Sequence, residues 1–320
     1  MPLAMAETKT LFAMSSTGMV EKVKQALARG GDPNAKLPEI GRTALHAATS
    51  KGHLEVVEVL LEHPGIDPNV DVSGNLGRAL HLAAGPGHHK VVGLLLQHPE
   101  IVTDTTDRWG MTALHIAADQ GHLEVVALLV QQPGSDPNQA TQGVKKGQTA
   151  LHFAVDTRSG RGHLDVVKFL LQQPGIDINL QDYQGDSALH KALGRLKTES
   201  AALLVKQPEI NINARSNTGD TPLHVAAFMG NDEILGLILD HPGVDVAATT
   251  NTGATALHEA VRGFGGSDVV QRLLANPYTD PNVRDNRGRT PIMNLLLEPK
   301  HQLAKKGARV TILHIKMKSG

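Results

Sequence analysis

The chain has 320 residues, 40% of them hydrophobic but only 2% aromatic, and a formal net charge of −1. That balance gives no reason to expect a nucleic-acid partner, which needs a basic surface. A chain without cysteine has neither a disulfide framework nor a thiolate metal site. No hydrophobic signal segment opens the chain and no apolar run is long enough to cross a bilayer. The expectation is a soluble monomer of the cytoplasm, or of the nucleus, with no membrane insertion.

One pattern recurs along the length. It is centred on Leu45-His46, Leu80-His81, Leu114-His115, Leu151-His152, Leu189-His190, Leu223-His224 and Leu257-His258, with Leu11-Phe12 and Ile292-Met293 as degenerate copies at the ends. The second residues of these pairs are 34, 35, 34, 37, 38, 34, 34 and 35 positions apart. Such a period signals a stacked array, in which each unit packs only on its neighbours, so one elongated domain of about nine repeats is expected.

Residues 1–37 read as an N-terminal cap. Val20-Glu21-Lys22-Val23-Lys24-Gln25-Ala26-Leu27 has a polar face where inner copies are aliphatic, as an end repeat with one neighbour requires. Seven central repeats occupy 38–284. In the first of them Thr43 can cap a helix through its hydroxyl, and Pro222 and Pro291 follow the same cap position in later copies. Gly52 ends that helix where a left-handed backbone is cheap only for glycine. Leu54, Val56, Val57, Val59, Leu60 and Leu61 make the second helix apolar nearly all round, so it is expected to be buried. The added residue in His63-Pro64-Gly65-Ile66-Asp67-Pro68-Asn69 reads as a wider turn with no chemical role.

The fifth copy carries two insertions, one with Lys145 and Lys146, the other with Arg158 and Arg161. The sixth replaces its Gly-His pair and Val-Val pair with Arg195 to Ala202, which points to a weaker interface and a flexible joint. Residues 285–299 begin a degenerate last repeat that Pro299 interrupts. The last stretch, 300–320, is a basic tail or a broken further repeat; it holds six of the 31 basic groups and none of the 32 acidic ones, leaving residues 1–299 at −7.

The units Asp107-Arg108-Trp109-Gly110-Met111-Thr112-Ala113-Leu114-His115-Ile116-Ala117-Ala118, then Gly121-His122 and an aliphatic helix, resemble ankyrin repeats over about residues 8–298. The resemblance implies an all-α solenoid of helix-turn-helix units joined by β-turn or hairpin fingers. In that family the histidines of the Leu-His pairs tie the turn to the helix, and recurrence marks these seven at one place in the repeat, with His53, His88, His122 and His163 at another, as scaffolding among the seventeen histidines. His88-His89 is a weak metal candidate, with no acidic partner at ligand spacing. No nucleophile, phosphate-loop or metalloprotease pattern occurs, so no catalytic residue, cofactor or metal is expected.

The resemblance also implies where a protein partner binds: on fingertips and on the exposed face of the first helices, the positions that change between copies. These include Glu39, Ile40, Arg42, Asn75, Leu76, Arg78, Asn217 and Asn286. The leading cluster is Arg108 and Trp109 with Tyr183, extended by Met111, Ile116, Asp119, Gln120 and Lys191. Trp, Tyr and Arg are enriched at binding hot spots, and Phe228 and Met229, standing where other copies have Asp119-Gln120 or Ser50-Lys51, form a second cluster. The implied function is a non-catalytic adaptor, scaffold or inhibitor. A substrate-recognition arm of a larger enzyme assembly, and a link between membrane proteins and cytoskeleton, are the alternatives.

Overall fold

The computed structural model describes residues 2–297 except 73, 75, 76, 144 and 157–162, with side chains from residue 5 onward. Asn75, Leu76, Arg158, Arg161, the break at Pro299 and the basic tail lie outside the described residues. The chain separates into two compact units, where one domain was expected: residues up to Ala154 with 172–175, and 155–171 with the chain from 176. The division falls in the fifth copy, the one that carries both insertions.

Seventeen helices are described, eight pairs and the first member of a ninth. In the first unit these are α1 (Pro2–Ser16), α2 (Val20–Ala28), α3 (Ala44–Lys51), α4 (Leu54–Leu61), α5 (Ala79–Ala84), α6 (His89–Leu96), α7 (Ala113–Gln120) and α8 (Leu123–Val130), with α9 (Ala150–Val155) at its edge. The second has α10 (Leu164–Leu171), α11 (Ala188–Gly194), α12 (Thr198–Val205), α13 (Pro222–Met229), α14 (Asp232–Leu239), α15 (Ala256–Arg262), α16 (Ser267–Ala275) and α17 (Pro291–Leu297). Within each unit odd-numbered helices pack on odd and even on even, giving an inner and an outer layer. The fingers between pairs are tight turns; among the described residues the only strand-like pairings are two isolated bridges, Gln181 with Ser187 and Thr249 with Thr255.

Outer helices bury a stripe, less than the all-round pattern suggested. In α4 Val56, Val57 and Leu60 are buried while Leu54, Val59 and Leu61 are half-buried. The N-terminal α2 buries only Val23 and Ala26, as its polar face led us to expect.

Inner helices α3, α7, α11, α13 and α15 start at a Thr or Ser that works together with the histidine three residues on, while α5 starts at Arg78, whose backbone N–H alone donates to His81 Nδ1 at 3.2 Å. Thr43 Oγ1 accepts from the His46 backbone N–H, and the Thr43 N–H donates to His46 Nδ1 at 3.0 Å. With Nδ1 accepting, the proton sits on Nε2. That N–H then donates to a carbonyl in the next finger: His46 to Val70 at 2.9 Å, His81 to Thr105 at 3.0 Å and His115 to Gln139 at 2.8 Å. In the second unit His190, His224 and His258 reach Asp220, Ala254 and Arg289 in the same way.

The second recurring histidines point backward, with His53 Nε2 on the Ser16 carbonyl and His122 Nε2 on that of Gly85. Their rings lie against the preceding glycine. At Gly52, where φ is +74°, an added Cβ would come within 2.8 Å of the His88 ring. Glycine therefore answers both a left-handed backbone and a close approach.

The widened turn after the outer helix links neighbouring repeats. It presents a carbonyl to the asparagine of the preceding repeat: Asn34 donates to Gly65, Asn69 to Glu100 and Asn138 to Gly175. The same asparagines accept from the backbone N–H groups of Asp67 and Val102.

The sixth copy breaks the glycine rule. Leu196 takes the glycine's place with φ +55°, among the described residues the one non-glycine residue with positive φ, and its side chain is exposed. Replacing it with glycine relieves strain of about 1–2 kcal/mol, part of which returns as chain entropy. Leu196→Gly is expected to raise unfolding free energy in urea by about 1 kcal/mol; an unchanged or lower value would contradict the strain.

Burial depresses the pKa of the bridging histidines, to about 4 for His46 and His115 and in the same direction for His81, His190, His224 and His258. A folded value below the unfolded 6.5 means the unfolded chain takes up protons first as pH falls. Stability is full above pH 6.5 and declines toward pH 4. Between pH 7 and pH 5 His46 and His115 each withdraw about 2 kcal/mol, so the urea midpoint should fall steeply over that interval and hold steady from pH 7 to 8.

Candidate partner-binding surface

In the first unit the finger preceding α7 is organised by Asp107, 4% exposed, whose Oδ1 accepts from the backbone N–H groups of Trp109 and Met111 at 2.9 Å each. Gly110 turns the tip with φ +75°, and the following finger approaches so closely that a Cβ on Gly143 would collide with the Trp109 carbonyl. The turn presents Arg108 and Trp109 outward. Trp109 is 41% exposed, and its ring carries the Arg108 guanidinium 4.2 Å from its centroid, a cation–π stack.

Met111 and Ile116 are half-buried beside this tip, and Gln120 is exposed. Gln120 donates to Asp119 at 2.9 Å, and Lys145 lies 3.9 Å from the same carboxylate. The first insertion of the fifth copy thus folds onto the inner helices: the Lys145 ammonium also sits 4.6 Å from the centroid of Phe153, a fully buried ring.

In the second unit the fingers are joined by an asparagine ladder. Asn217 donates through its backbone to Gln184 and through its side chain to Tyr183, Asn251 does the same to Thr218 and Asn217, and Asn286 to Thr252 and Asn251. Tyr183 stands 73% exposed at the first of these tips. Lys191 is enclosed: its Nζ lies 2.8 Å from Asp182 and 2.9 Å from Asp186, and it donates to Gln184. Burial works against its charge, but the two carboxylates prevail and raise its pKa.

Phe228 and Met229 are half-buried at the end of α13. The Phe228 ring meets Phe264 edge-on at 5.7 Å, and Phe264 is 75% exposed. Arg262 reaches both this pair and Glu259, its guanidinium 5.6 Å from the Phe228 ring and 2.7 Å from the Glu259 carboxylate. Burial raises the Glu259 pKa, against the pull of Arg262.

A family model for ankyrin repeats in three copies matches residues 10–107, 80–182, 162–250 and 199–285. The chain belongs to the ankyrin-repeat family. No curated protein matches it. Ankyrin repeats are in general protein–protein interaction modules and typically non-catalytic. Among the described residues of this ankyrin array no group of three or more His, Cys, Asp or Glu is placed to hold a metal ion, and His88 packs its ring on Gly52. No described helix is long and apolar enough to cross a membrane.

The residues singled out from sequence fall into two places. Arg108, Trp109, Met111, Ile116, Asp119 and Gln120 share one finger and helix of the first unit; Tyr183, Lys191, Phe228 and Met229 belong to the second. The charge of Lys191 is spent within the fold, as are the amides of Asn217 and Asn286. Phe264 and Arg262 escaped the sequence reading. The available signal was that Phe264 stands six residues after His258, in the place of the ankyrin turn glycine, in a copy that lacks the Gly-His pair.

Exposure separates recognition from packing. Trp109→Ala should lower unfolding free energy by about 1 kcal/mol or less, whereas Leu114→Ala, at a site 7% exposed, should cost about 2–5 kcal/mol as a core cavity. Equal losses in urea titrations would mark Trp109 as a packing residue.

Proposed function

We propose that the protein is a non-catalytic adaptor, scaffold or inhibitor that holds a protein partner on the fingers and inner helices of its units. The observation that carries this reading is the exposed Trp109 with Arg108 stacked on it. The residues that recur in every copy are consumed in bonds within and between repeats, while this pair, at a position that changes from copy to copy, faces solvent. Trp and Arg in such positions are the groups that dominate protein interfaces when desolvated. A rigid, preformed surface adds affinity by sparing the ordering cost of binding. We place the protein in the cytoplasm as a monomer, in keeping with a cysteine-free chain.

Affinity capture from native extract tests the reading. Wild type should retain a protein that Trp109→Ala, verified as folded by circular dichroism, loses, and calorimetry with that partner should show binding weakened by about 2 kcal/mol or more. A partner held equally by Trp109→Ala and by Phe228→Ala/Met229→Ala would remove both surfaces from the account.

A further inference from the structure

The second unit carries a cleft of about 220 Å³ lined by Glu259, Arg262, Asn286, Arg287, Arg289 and neighbours. Its two carboxylates are already committed. Glu259, 4% exposed, is paired to Arg262 at 2.7 Å. Asp285, 7% exposed, holds Arg289 at 2.8 Å and accepts from the backbone N–H groups of Arg287 and Arg289. These bonds keep the Asp285 carboxyl ionised: burial opposes the charge, but the bonds win and pull its pKa down to about 2.

Of the three guanidinium groups, Arg287 makes no ion pair among the described residues, and its side chain is exposed. An incoming cation therefore meets no uncommitted carboxylate, and an incoming anion meets Arg287. Planar guanidinium donors suit a carboxylate in paired hydrogen bonds. Arg262 joins this cationic cleft to an apolar step, because it also lies against the ring of Phe228, whose edge-on neighbour Phe264 is 75% exposed between Gly263 and Gly265.

We propose that this surface binds a segment of a protein partner in which an apolar side chain and an Asp or Glu lie close together, the apolar group against Phe228 and Phe264 and the carboxylate on Arg287. The assignment rests on the partner-binding reading above and adds to it the chemistry of what is bound in the second unit.

The probe is an array of fluorescently labelled 12-residue peptides in a Gly-Ser background, with one Leu and one Glu placed at every spacing. Matched sets replace Glu by Lys or Leu by Ala. Titrated by anisotropy with the full chain, a Leu/Glu spacing should bind at least tenfold tighter than its Leu/Lys counterpart. Arg287→Glu should abolish or reverse that preference. Phe264→Ala should weaken the Leu/Glu peptide about tenfold while the Glu-over-Lys preference persists. Both replaced side chains are exposed, and matching thermal melts will exclude a folding effect.

Equal binding of the Lys set, an unchanged preference in Arg287→Glu, or no binding by any peptide overturns the proposal. A captured cellular partner that still binds Arg287→Glu and Phe264→Ala would also overturn it, while leaving the general partner-binding reading in place.

Discussion

The hydrogen-bond bridge through the neutral histidines His46, His81, His115, His190, His224 and His258 is the interaction on which the rest depends. One ring does three things: it fixes the first turn of the inner helix through Nδ1, satisfies a carbonyl of the next finger through Nε2, and fills the space between. Buried, it can do this only uncharged, since an imidazolium would lose its acceptor and pay for desolvation. Each bridge joins one repeat to the next within a unit, so the order of the array is built pair by pair from an identical contact.

The remaining polar residues of the pattern extend the same logic. Asp107, Asp182 and Asp285 hold their own finger turns, and two sets of asparagines tie fingers and outer loops to the following repeat. Once these bonds are assigned, few polar side chains on the fingers remain for another molecule. Among the described residues the exposed groups include Arg108 on Trp109, Tyr183, Phe264 beside Phe228, and Arg287. Function in such a fold resides in what the scaffold leaves over.

The period, the cap at Thr43, Pro222 at the first helical position, the left-handed Gly52 and the polar face of α2 were legible in the sequence because each is a local rule placed by the repeat. Exposure of Trp109 was legible too, since a large ring on a fingertip has little to pack against. What lay hidden were contacts between residues whose spacing carries no pattern. Lys191 reads as an available cation until Asp182 and Asp186 are seen around it. Asn217 and Asn286 vary among copies like binding residues, yet their donors are used from finger to finger. Phe264 was obscured by the loss of the Gly-His pair that would have placed it in register. Leu196 shows the converse: the period marks its position as the glycine's, but not that a leucine there keeps the glycine conformation, with φ +55°.

The most direct test of the histidine bridge is nitrogen-15 NMR of the imidazole rings as a function of pH. The structure predicts that His46 and His115 show the Nε2–H tautomer and stay neutral at pH 5.5, protonating only near pH 4 or on unfolding. Free titration near 6.5 in the folded protein, or the Nδ1–H tautomer, would mean that the rings do not bridge the repeats and that the stack is held by other means.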